Sequence, residues 1–556
     1  MLLGKRPQLA GAAHACLIGT DYTRARPLIS QPKAFLMPAV VTPLVIRRPS
    51  QVSAWLVGWG TAGFVGAVLV VVGAAQATSP FTSKLPGSWW FGVPAPLAAA
   101  SVGAQRQWLG VAFVYAGLVA LLAAWYGVVT ACRCGGLVPL RPLVGMGVAW
   151  ALPIVIGPPL MSRDVYAYAA QGALAARGGD PYTTTVAHLA GSPYLHLVDP
   201  LWRHATSPYG PLFLEFARGA AAAGGRHVLV TVVGLRLVAV TGMVLLAVAV
   251  PPLARSYGRS PATAFALTVL NPLLLLTLVG GAHNDALMLG LLVAGIALAR
   301  IGRAVPAVVL CALAATVKVP AFAGVVFVGW SWPGPTAGWR RRLGPVAGAV
   351  AGGAAVAAAV SLVSGWGWRW LTAADPGRVV SWLDPATAAG LLAAKLAAAV
   401  GLGAHTAGAV GAARVMALAI AAAVGLVLLW RTDQIDLPAA LGWTLLAVAV
   451  LGPVVWPWYE TWGLALVAVT ARTAARRAVL VISAVGCFAT IPTHVNGPGA
   501  ALVVAAVLLA LGTVALAIAD VRCRQALSRS RQAYLSESES PQAGTPHRGA
   551  IPPQLP

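Results

Sequence analysis

The 556-residue chain is 59% hydrophobic and only 9% charged, with a formal net charge of +24. About a quarter of a soluble globular domain is charged, so that class is excluded. Apolar runs of roughly 18 or more residues, enough to cross a bilayer as helices, recur along the chain. The basic excess falls between those runs, where it reports membrane orientation and not nucleic-acid binding.

In chain order, residues 1–50 read as a basic cytoplasmic segment, without the compact apolar region and small-residue cleavage site of a signal peptide. Spans are predicted over 52–76, 108–131, 143–161, 227–254, 261–281, 284–300, 304–331, 344–364, 409–430, 439–456, 459–471, 478–491 and 498–520. The fold class is therefore an all-α polytopic membrane domain over 51–524, with about 13–14 membrane segments. Residues 525–556 read as a disordered cytoplasmic tail.

Short basic connections (Arg47-Arg48, Arg133 and Arg141, Arg255 and Arg259, Arg300 and Arg303, Arg340 to Arg342, Arg431, Arg472 to Arg477, Arg522 and Arg524) place one face, and both termini, in the cytoplasm. The count closes only if 304–331 goes out and returns, breaking near Lys318-Val319-Pro320, and if 386–403 lies at the interface or re-enters. The six cysteines suggest neither a disulfide framework nor a zinc site, and Cys132-Arg133-Cys134 is too closely spaced for a usual metal pair.

The opposite face has the longer loops and eight of the 14 acidic residues: Asp164, Asp180, Asp199, Glu215, Asp285, Asp375, Asp384 and Glu460. Aromatic residues concentrate there too, among them Trp89-Trp90, Trp202, Trp366, Trp382, Trp456 and Trp458. An interfacial belt alone would occupy both faces, so the chemistry is expected on the extracytoplasmic side.

The stretch Ser162 to Tyr182 carries the sharpest signal. Pro158-Pro159 ends the preceding span, Ser162 is placed to cap a new helix, and Asp164 falls in its first turn. The helix dipole favours an ionised carboxylate there. That position suits a residue whose only role is to complement the dipole, and equally a general base for a sugar hydroxyl. Gly178-Gly179 ends the helix and Asp180-Pro181-Tyr182 turns the chain.

Several motifs occur in a fixed order. Pro158-x-x-x-Ser162-Arg163-Asp164-Val165-Tyr166-Ala167-Tyr168 leads to Gly178-Gly179-Asp180-Pro181-Tyr182. Pro208-Tyr209-Gly210-Pro211, Asn271-Pro272, Gly281-Ala282-His283-Asn284-Asp285 and Val317-Lys318 follow, then Ser381-Trp382 and Pro457-Trp458-Tyr459. Over roughly 140–470 the chain resembles the actinobacterial polyprenol-phosphomannose-dependent α-(1→6)-mannosyltransferases, multi-span GT-C glycosyltransferases that build the mannan core of lipomannan and lipoarabinomannan. The resemblance implies a lipid-linked donor, polyprenyl-phosphomannose, an α-(1→6)-mannan or glycolipid acceptor, and no metal or other cofactor. It implies inversion at the anomeric carbon with Asp164 as base. Many such enzymes carry this acid in the first external loop, but 77–107 here holds no Asp or Glu, which leaves Asp164 without an earlier rival.

The substrate-binding residues expected around it are Arg163, Tyr166, Tyr168, Asp180, Tyr182, Tyr209, His283, Asn284, Asp285, Lys318, Trp382, Trp458, Tyr459 and Glu460. His283-Asn284-Asp285 suits either a helix cap or contact with sugar or phosphate. Lys318 suits either the lipid phosphate or a lysine snorkelling from a broken helix, and Arg163, Arg369 and Arg378 are alternative phosphate contacts. A transferase of another lipid-linked sugar, such as arabinofuranose or glucose, and a lipid-linked glycan transporter are the competing readings. A transporter more often has two related halves, and none is visible.

Overall fold

A computed structural model describes residues 49–75, 104–134, 138–373, 379–382, 384–402 and 405–489. The described residues form seventeen α-helices and no strand. Because a helix bonds its backbone groups within itself, such a chain can sit in hydrocarbon. The protein is a multi-pass membrane protein.

Five helices are long and apolar enough to cross a membrane: Ala54–Ala74 in α1 (Pro49–Ala74), Gly110–Arg133 in α2 (Ala104–Cys134), α7 (Val228–Ser256), α12 (Trp339–Val363) and α14 (Thr406–Trp430). A sixth is the pair Leu274–Gly280 and α9 (Asp285–Arg300), bent by 116° at their junction. Shorter apolar helices join them, among them α3 (Leu140–Ile156), α10 (Ala304–Ala315), α13 (Pro385–Ala399), α15 (Leu437–Leu451) and α16 (Glu460–Thr470). Several expected spans are thus helices below full spanning length, and 498–520 lies outside the described residues.

The breaks have local causes. Residues 261–281 divide into α8 (Pro261–Thr268) and a fully buried π-helical segment, Leu274–Gly280, with Asn271-Pro272 between them. Pro272 has no N–H to continue the ladder, and Asn271 Oδ1 accepts the Leu273 N–H at 3.0 Å instead. Residues 304–331 break where expected. Here α10 ends at Ala315, a 3₁₀ turn covers Val319–Phe322, and α11 (Ala323–Ser331) resumes.

Lipid offers helices no hydrophobic drive to associate, so close packing through small residues takes over. Gly66 and Gly73 of α1 meet Gly117 and Gly110 of α2, and a Cβ on Gly117 would lie 2.6 Å from the Gly66 carbonyl oxygen. Gly442 of α15 and Gly463 of α16 make the same kind of crossing, as do Gly242 of α7 and Gly290 of α9. The α9 and α16 N-termini and the α3 C-terminus reach the same end of the bundle. There α4 (Asp164–Ala176) and α6 (Pro211–Gly224) pack together.

Candidate active site

Asp164 is the first residue of α4, Asp285 of α9 and Glu460 of α16, so each acid sits where a helix dipole favours negative charge. The Ser162 hydroxyl accepts the Asp164 N–H at 3.1 Å, while Arg163 occupies the cap position itself, one residue later than the sequence suggested. The turn before each of the first two acids is strained. Met161 has φ 63° and Ala282 has φ 52°, the only positive-φ residues other than glycine among those described. Residues held this way cost roughly 1–3 kcal/mol each and gather at functional sites.

Both oxygens of Asp164 are addressed. Trp202 Nε1–H donates to Oδ1 at 3.1 Å, and His283 Nε2 lies 3.7 Å from Oδ2. His283 is buried, with Nδ1 2.7 Å from the Thr277 carbonyl oxygen. A carbonyl only accepts, so Nδ1 carries a proton and Nε2 is the nitrogen turned to Asp164. Trp458 stacks on the His283 ring at 4.3 Å, and Trp456 stacks on Trp458 at 5.0 Å with their planes 5° apart. Three rings therefore run in sequence from beside the carboxylate.

Asp285 is fully buried, and its Oδ1 accepts from Lys318 Nζ at 2.7 Å and from Trp462 Nε1 at 2.5 Å. Lys318 does not reach outward. Its ammonium lies 4.2 Å from the centre of the Tyr459 ring, 5.0 Å from Trp462 and 5.7 Å from Tyr209, a cation–π cage. The break bearing Lys318 is clasped by the Pro208-Tyr209-Gly210-Pro211 turn: Gly210 N–H donates to the Val317 carbonyl and Leu212 N–H to that of Thr316, both at 3.1 Å. Gly210 has no Cβ because the Thr316 carbonyl takes that space.

These groups surround a cavity of about 320 Å³. Asp164, Ala167 and Gln171 line one wall from a single face of α4, as spacings of three and four require. Trp202, Tyr209, Trp456, Tyr459 and Trp462 supply aromatic walls, while Val379, Leu418 of α14 and Val448 of α15 make an apolar end. Among the described residues, Asp164 is the one acidic residue in that lining.

Of the expected residues, Asp164, Tyr209 and Tyr459 line the cavity, with His283, Asp285, Lys318, Trp458 and Tyr168 behind them. Tyr168 packs edge-on against Tyr209 at 5.0 Å. Asn284 is buried at the α9 cap position, but its side chain makes no cap bond, and both its polar atoms lack partners among the described residues. Others brace the loop. Asp180 accepts from Arg369 at 2.7 Å and from the Tyr182 N–H at 2.9 Å, Tyr182 donates its hydroxyl to the Tyr209 carbonyl, and Arg163 donates to the Leu197 carbonyl at 2.8 Å.

Three more are also not brought to the cavity. Tyr166 is buried elsewhere, Glu460 turns toward Gly486, and Trp382 is 48% exposed beneath Lys395. Arg378 lies outside the described residues. Trp202 and Gln171 were missed as site residues. In sequence Trp202 is one of the external-loop aromatics, in the Leu201-Trp202 pair that precedes the Pro208-Tyr209-Gly210-Pro211 motif of the resemblance, while Gln171 follows Asp164 by seven residues on one helix face. No group of three or more metal-ligating side chains occurs among the described residues.

A helical membrane bundle whose span ends enclose a carboxylate in an aromatic-walled cavity is the setting of a membrane glycosyltransferase, and the comparisons give that class its family. A family model described as alpha-(1→6)-mannopyranosyltransferase, N-terminal domain, matches residues 60–334, and one described as the MptB C-terminal domain matches 386–519. The chain is 35% identical over 444 residues to alpha-(1→6)-mannopyranosyltransferase A of Mycobacterium tuberculosis, covering 76% of this chain and 81% of that one. It is 33% identical over 342 residues to alpha-(1→6)-mannopyranosyltransferase B of Corynebacterium glutamicum, covering 57% and 56%. The chain belongs to the alpha-(1→6)-mannopyranosyltransferase family. No solved structure matches it.

Proposed function

We propose that the protein transfers mannose from polyprenyl-phosphomannose to the 6-hydroxyl of an α-mannan acceptor on the extracytoplasmic face, with inversion and with Asp164 as the base. The observation that carries this reading is the setting of Asp164: the one acid lining the cavity among the described residues, at a helix N-terminus, with one oxygen held by Trp202 and the other facing His283. The names of the relatives supply the sugar and the linkage. The loop acids and aromatics on one face, opposite the basic connections, support the side.

The acceptor 6-oxygen forms a bond to the anomeric carbon as the bond from that carbon to the phosphate oxygen breaks. The hydroxyl proton passes to Asp164, and the lipid phosphate leaves with the electron pair. The Trp202 N–H fixes the carboxylate rotamer, and Asp164 sits at the N-terminus of α4 with its carboxylate open to the cavity for proton capture. Lys318, paired with Asp285 behind the aromatic wall, sets a positive charge near the departing phosphate. Val379, Leu418 and Val448 give the isoprenoid an apolar wall.

The test supplies membranes containing the protein with labelled polyprenyl-phosphomannose and a short α-(1→6)-mannoside. The native chain should extend the acceptor, and Asp164→Asn should lower the rate by about 10²-fold or more, the usual weight of a general base. Full activity in Asp164→Asn removes the base assignment. Transfer only from another polyprenyl-phosphate sugar replaces the donor.

A further inference from the structure

Arg236 lies in the interior of α7, buried within a spanning helix. An arginine at that depth is costly unless its donors are used, and both Nη groups here donate to main-chain carbonyls. Its Nη1 donates to the Val155 oxygen at 2.9 Å and the Gly157 oxygen at 2.5 Å, and its Nη2 to the Gly280 oxygen at 3.0 Å. Val155 and Gly157 are the C-terminal end of α3, and Gly280 is the last residue of the π segment. The cation therefore joins two helix C-termini, the ends with negative partial charge.

The same two segments also touch directly, the Leu160 N–H donating to the Gly280 oxygen at 3.0 Å. From that joint the chain runs through left-handed Met161 to Asp164 on one side, and through left-handed Ala282 to His283 and Asp285 on the other. Neither turn suits its own residue, so each must be held from outside.

We infer that Arg236 is a positioning residue for the transfer reaction: its fork locks the joint from which Asp164 and His283 are aimed at each other. This rests on the proposed role of Asp164 and goes beyond it. Two elements far apart in sequence are set by a planar group with donors in fixed directions, which a lysine point charge does not reproduce. A displacement of about 1 Å at reacting groups costs as much as 10²-fold in rate.

The test is Arg236→Lys, assayed with the same donor and acceptor and normalised to folded protein in the membrane. The expected result is a fall in kcat of about tenfold or more, with both KM values within about threefold. Arg342→Lys is the matched control: Arg342 is also buried, ties the carbonyls of Trp330, Gly334, Pro335 and Ala337, and lies where α12 begins, away from the cavity. It should lose thermal stability and keep its kcat. If Arg236→Lys fails to accumulate, Ala282→Gly reads the same link, because glycine frees the turn that Arg236 restrains; kcat should fall with KM held.

Unchanged kcat in the variant that accumulates overturns the inference, and so does an equal loss of kcat in Arg342→Lys. An inactive Asp164→Asn beside a fully active Arg236→Lys removes this inference alone. A fully active Asp164→Asn removes its premise.

Discussion

At the scale of residues, the site separates a carboxylate that faces the cavity from one that is wholly enclosed. Asp285 is matched by Lys318 and Trp462, and the three form one buried unit. Breaking a buried pair by removing one partner costs about 3–5 kcal/mol, because the other charge is left uncompensated. Lys318→Met should therefore lower the thermal midpoint of the detergent-solubilised protein sharply. Asp285→Asn added to it should restore much of that loss, while activity stays low. A double variant no more stable than Lys318→Met would show that the pair is not coupled. The first-turn place of Asp164 was legible because Pro158-Pro159 and Ser162 punctuate the chain. Its partnership with His283 was not, since it depends on two left-handed turns and on Arg236, none of which leaves a periodic trace.

At the scale of elements, the breaks carry the site. Pro320 marked one of them in the sequence, and the break near Lys318 falls where it was expected, whereas 261–281 was read as one span and is divided at Asn271-Pro272. The direction of the Lys318 side chain was not predictable, because its partners come from α9 and α16. Nor could the sequence show that the Pro208-Tyr209-Gly210-Pro211 turn is the clasp on this break. Gly210 has φ −71°, which any residue adopts, so its requirement is space alone. Gly210→Ala should push the turn off Thr316 at a cost of about 1–3 kcal/mol, the usual range for overpacking. Because Lys318 lies two residues on, donor kcat/KM should fall about tenfold, a shift near 1.4 kcal/mol. Wild-type kinetics in Gly210→Ala would show that the clasp does not set the lysine.

At the scale of the whole molecule, helices that cross through paired glycines make a rigid frame, and the chemistry is set at one end of it. Hydropathy records apolar length and not bends, so several expected spans appear among the described residues as shorter or broken helices. The Leu274–Gly280 segment and α9 flank the polar His283-Asn284-Asp285 and turn by 116°. The size of the cavity has a consequence of its own. About 320 Å³ is near the small end of ligand sites, which run from roughly 300 to 1,000 Å³. On the proposed function, such a space grips the reacting sugars and little of the glycan behind them. Each lengthened chain should then be released before the next addition. With acceptor in excess, early products should be one mannose longer across the whole pool, and an early accumulation of long chains beside unused acceptor would contradict this. Polymer length would then follow the ratio of donor to acceptor, so the enzyme would act as a distributive builder with no ruler of its own.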